Sequence, residues 1–65
     1  MDELSARNLA RYGLRRGAYD GANSRRFVLF ESLANGNDLR REYSTKRERD
    51  AFALRRLRDI RNGNR

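Results

Sequence analysis

The side chains that do chemistry in most enzymes are scarce in this chain, while one kind of binding group is abundant. His and Cys are both absent, which removes the usual general base at neutral pH, the usual metal ligand and the thiolate nucleophile. Carboxylate pairs remain, Glu48 with Asp59 and Asp2 with Glu3. A carboxylate does acid–base work when a pocket shifts its pKa, and a chain of 65 residues has little core with which to enclose one. The pairs read as solvated charges, and no catalytic residue, metal ligand or cofactor is expected. What the chain does have is arginine. Lys46 is the only lysine among sixteen Lys+Arg, set against nine Asp+Glu for a net charge of +7. Guanidinium groups bind phosphates and carboxylates bidentately and stack on planar groups, so the expected chemistry is recognition of a charged partner.

The charge is unevenly placed. Residues 1–20 hold four Arg and three acids (+1), residues 21–38 balance to zero, and residues 39–65 hold ten basic and four acidic groups (+6). Arg40, Arg41, Arg47, Arg55, Arg56 and Arg58 are the candidate basic contacts. Glu31, Glu42, Glu48 and Asp59 are candidate acidic ones, because acids spread over every element repel phosphate and suit a partner that itself has acidic and basic parts. Phe52 is an aromatic on a charged helix face, either an anchor for a partner or a contact for an N-terminal helix wrapping behind.

The elements that must position these groups follow from local signals. Asp2 as N-cap and Glu3 in the first turn predict a short helix over 2–12, stopped at Gly13. Glycines at 13, 17 and 21 predict a flexible loop over 13–25, although Arg15, Arg16 and Tyr19 among them have the look of an arginine–glycine nucleic-acid segment. Phe27-Val28-Leu29-Phe30 and the alternating Leu39–Tyr43 stretch flank Asn35-Gly36, predicting a two-stranded antiparallel hairpin over 26–44. A two-residue turn would put Val28, Phe30, Leu39 and Tyr43 on one face. A longer loop would group Phe27, Leu29, Leu39 and Tyr43 instead, and the apolar pattern fits both. Thr45-Lys46-Arg47-Glu48 is a capping box opening a helix over 45–61, ended by Asn62-Gly63, with a tail at 62–65. At about 100° per residue Ala53, Leu54, Leu57 and Ile60 share one arc, a face fit to lie on the hairpin. The sum is one small α+β domain over 1–65, taken as a monomer.

Two resemblances attach to these parts. The layout of Phe27–Glu31, Leu39–Tyr43 and a basic helix over 45–61 resembles the small early proteins of lytic phages that bind host regulators, including inhibitors of the H-NS-family silencer MvaT. That resemblance implies a non-enzymatic interaction protein. It would bind a host nucleoid-associated protein electrostatically, through the basic and acidic residues named above, and interfere with DNA bridging and gene silencing. Residues 26–61 are also similar in outline to the arm-type DNA-binding domains of phage integrases, in which a small sheet precedes a helix beginning Thr-Lys, as Thr45-Lys46 does here. Those domains use three strands where this chain offers two clear ones. This second likeness implies direct contact with duplex DNA through the hairpin and last helix. Neither implies a membrane or a small-molecule substrate. The longest apolar run, Phe27–Phe30, is far short of the roughly 20 residues that span a bilayer. Met1-Asp2-Glu3 is acidic where a signal peptide would be basic, so a cytoplasmic protein is expected, in the host cytoplasm or nucleoid if phage-encoded.

Overall fold

The computed structural model describes residues 2–63, so Asn64 and Arg65 of the expected tail lie outside the described residues. The order of elements is α1 (Ala6–Arg11), β1 (Leu14–Asp20), β2 (Arg25–Ser32), β3 (Asp38–Tyr43) and α2 (Lys46–Arg61). The three strands form one antiparallel sheet in the order β1-β2-β3, and the helices meet over one of its faces.

The α+β class holds, but the sheet has three strands instead of the expected two. The segment read as a flexible loop supplies the extra one. β1 pairs with β2 from Leu14↔Glu31 to Asp20↔Arg25, and Gly21 N–H closes the connection on Ser24 O at 2.8 Å. The glycines that suggested flexibility serve packing. A methyl group on Gly17 would come within 3.0 Å of Val28 Cγ2, so the absence of a side chain there lets β2 lie close. A partner strand's hydrogen bonds override weak local propensity.

The β2–β3 hairpin takes the longer-loop register, Phe27↔Tyr43, Leu29↔Arg41 and Glu31↔Leu39. A type I′ turn at Asn35-Gly36 needs positive φ at both residues, and only Gly36 has it, at 88°. The chain instead turns over Leu33–Gly36, with Gly36 N–H on Leu33 O and Leu33 N–H on Asn37 O. Phe27, Leu29, Leu39 and Tyr43 consequently face the helices.

The N-terminal helix is shorter than expected. Its N-cap is Ser5, whose Oγ accepts from Asn8 N–H, while Asp2 accepts from Leu4 N–H one turn earlier. α2 keeps the expected bounds: Thr45 Oγ1 accepts from Glu48 N–H at 3.1 Å and its hydroxyl donates to Glu48 Oε1. Its end is closed by Asn62, with Gly63 at φ 86°. Ala53 and Leu57 are fully buried, and Leu57 joins Leu9 of α1 and Leu14 of β1 in a core cluster flanked by Leu4, Tyr12 and Ile60. That cluster places α1 and α2 on the same side of the sheet. Among the described residues no element covers the opposite face. No helix among the described residues is long and apolar enough to cross a membrane.

Candidate functional site

Strand alternation sorts the charged side chains onto two faces of the sheet. On the covered face Glu31 and Arg16 pair with α2. Arg56 donates from Nε and Nη2 to the two oxygens of Glu31, both at 2.8 Å. Arg16 Nη1 and Arg49 Nε both reach Asp50 Oδ1, at 3.1 and 3.0 Å, and Arg49 Nη1 donates to Gly17 O. Burial pushes the Asp50 carboxyl up, and the hydrogen bonds from Arg16 and Arg49 outweigh it, leaving Asp50 below the usual carboxylate range.

On the open face Arg15, Gly17 and Tyr19 of β1, Arg26, Val28 and Phe30 of β2, and Asp38, Arg40 and Glu42 of β3 stand side by side. Glu42 is the hub. Its Oε1 accepts from the Tyr19 hydroxyl at 2.6 Å and from Arg26 Nε at 2.9 Å, and its Oε2 from Arg40 Nη1 at 2.9 Å. The Tyr19 bond first, then the Arg26 bond, hold its pKa below the ordinary value. Two rings are capped by guanidinium groups: Arg15 lies 4.8 Å from the Phe30 centroid and Arg40 5.6 Å from that of Tyr19. Arg15 also approaches Asp38 at 3.6 Å. Two arginines are thus held over two aromatic rings on an open sheet, with Arg26 beside them on Glu42. Arg15 and Arg40 are well exposed, at 67% and 49% of their side-chain surface.

The residues singled out from sequence do not form one site. Arg40 and Glu42 belong to the open face. Arg41 lies on the covered face at its edge, 4.6 Å over the Phe52 ring. Phe52 is half-buried and stacks on Tyr43 of β3 at 5.8 Å. Glu31 is buried and Arg56 is half-buried in their mutual ion pair. Arg47, Arg55 and Arg58 are exposed on the side of α2 turned away from the sheet, with Glu48 and half-buried Asp59 nearby on the same helix. Sequence reasoning noted Arg15 and Tyr19 in a glycine-rich segment read as a loop, and missed Arg26 and Phe30 as site residues. The signal was present as Arg15-x-Gly17-x-Tyr19 alternation, but glycine spacing masked it.

No family model, curated protein or solved structure matches this chain.

Proposed function

We propose that this is a non-enzymatic nucleic-acid-binding protein that contacts duplex DNA through the open face of its three-stranded sheet. The observation that carries the reading is the open-face array in which Arg15 lies over Phe30, Arg40 lies over Tyr19, and Arg26 and Arg40 are both tied to Glu42. The major groove admits β-strands, and guanidinium groups serve both phosphate oxygens and the O6/N7 edge of guanine. Ordering the arginines beforehand lowers the entropy cost of binding. The caps on both rings favour a duplex over single strands, since base stacking needs a bare aromatic face. The third strand also removes the main departure from the arm-type integrase outline. The net charge of +7 supplies sequence-independent attraction.

A second reading is electrostatic binding to an H-NS-family nucleoid protein such as MvaT, which would relieve DNA bridging. It draws on the outer side of α2, where Glu48 and Asp59 sit among Arg47, Arg55 and Arg58. It has lost some ground, because Glu31, Glu42 and Asp50 serve arginines of this same chain. Titration into duplex DNA at about 0.1 M salt separates the readings. Binding that R15A/R40A abolishes and R47A/R55A spares supports the sheet. No binding to DNA, with an H-NS-family protein perturbing the α2 resonances, overturns it in favour of the second.

A further inference from the structure

β1 is an edge strand, and its free side is complementary to itself. Gly13 O accepts from Ser32 N–H, and Gly21 N–H donates to Ser24 O. With the alternation of an antiparallel ladder, odd-numbered residues of β1 therefore turn their backbone groups toward β2. Arg16, Ala18 and Asp20 turn theirs outward. A strand edge of this length without proline, lysine or bulge is a template for pairing with another chain.

The side chains select the partner and the register. Antiparallel pairing of two β1 strands about Ala18 sets Ala18 opposite Ala18 of the second copy and Arg16 opposite its Asp20, twice by symmetry. It also sets Gly17 opposite Tyr19, so that no side chain opposes the tyrosine across the pair. Asp20 is exposed and makes no ion pair among the described residues. Tyr19 is 41% exposed, one of two large exposed hydrophobics among the described residues. Pairing about Arg16 would set arginine against arginine, and opposed like charges destabilise a ladder. The other edge, β3, has Arg40-Arg41 at its centre and meets the same repulsion when paired with itself about either.

We infer that the chain self-associates as a two-fold dimer through β1, joining two sheets into one six-stranded sheet. The dimer carries Arg15, Arg26 and Arg40 twice on one continuous face, and it revises the expectation of a monomer. Sedimentation velocity without DNA tests it, so failure here leaves the DNA reading untouched. Wild-type protein should show a concentration-dependent dimer below about 0.5 mM, the weak end of association. Asp20→Arg opposes two arginines and should weaken the dimer about tenfold or more, with the NMR dispersion of the monomer fold retained. Ala18→Cys tests the register, because facing Cα atoms about 5.5 Å apart are within disulfide reach and the chain has no other Cys. Mild oxidation should trap the dimer. A wild-type chain that remains monomeric throughout overturns the inference, and so does a dimer that Asp20→Arg leaves intact or that Ala18→Cys fails to trap.

Discussion

Arg56 of α2 grips Glu31 of β2 through two parallel hydrogen bonds of 2.8 Å, across a sequence separation of 25 residues. Glu31 is only 5% exposed. The pair ties the second half of the helix to the central strand at a covered-face position of β2, in line with Phe27 and Leu29, where an apolar residue would be ordinary.

Breaking that pair should cost more than removing it. Arg56→Met leaves a buried carboxylate without its bidentate partner and is expected to destabilise the fold by roughly 3 kcal/mol, the lower end for such changes because Arg56 keeps some solvent contact. Replacing both, as E31L/R56M, should recover most of the loss. Urea titration of the three proteins checks this, and a double variant no better than the single one would refute it.

Leu57 is fully buried between Leu9 and Leu14. Leu57→Ala is expected to cost about 2–5 kcal/mol. A domain this small has only about that much to lose, so the variant should be largely unfolded at 25 °C by circular dichroism.

At Gly17 the neighbouring Val28 methyl leaves no slack. Gly17→Ala should therefore destabilise by about 1–3 kcal/mol through overpacking, although alanine at a loop position would have been neutral or stabilising. Thermal melting distinguishes the two, and an unchanged or raised Tm would argue against a strand at Leu14–Asp20.

Glu42 and Asp50 both have depressed pKa values in the fold. A carboxylate held below its unfolded value adds stability that is present above the unfolded pKa and lost as pH falls through the folded one. Stability contributed by these groups should be level from neutral pH down to about pH 4, the ordinary carboxylate range, and fall below it. Glu42→Gln should flatten part of that fall while loosening Tyr19, Arg26 and Arg40. Denaturation midpoints measured from pH 7 to pH 2 test the sign.

If the sheet face meets phosphates, each arginine removed from it should lower the salt slope of DNA binding by about one. Tyr19→Phe leaves the charge intact and removes one of the two hydrogen bonds to Glu42 Oε1, so it should weaken affinity a few-fold with an unchanged slope. Fluorescence anisotropy across a salt series reads both quantities.

The sequence by itself determined what is local. The Thr45–Glu48 capping box, the start and stop of α2 and its Ala53/Leu57 buried stripe all depend on residues within a turn or two of one another. The total charge and the absence of His and Cys needed no fold at all. Tertiary structure decided everything that needs a distant partner. A glycine-punctuated stretch became β1 only because β2 supplied its hydrogen bonds. Between two hairpin registers that the apolar pattern of Phe27–Phe30 fits equally, the Leu33–Asn37 loop chose one, and each one-residue slip reverses every side chain. That choice put Glu31 and Arg56 in the interior and gathered Arg15, Arg26 and Arg40 on the open face. Periodicity reports which residues share a side of one element; which side faces another element is set by pairing and packing between segments far apart in the chain.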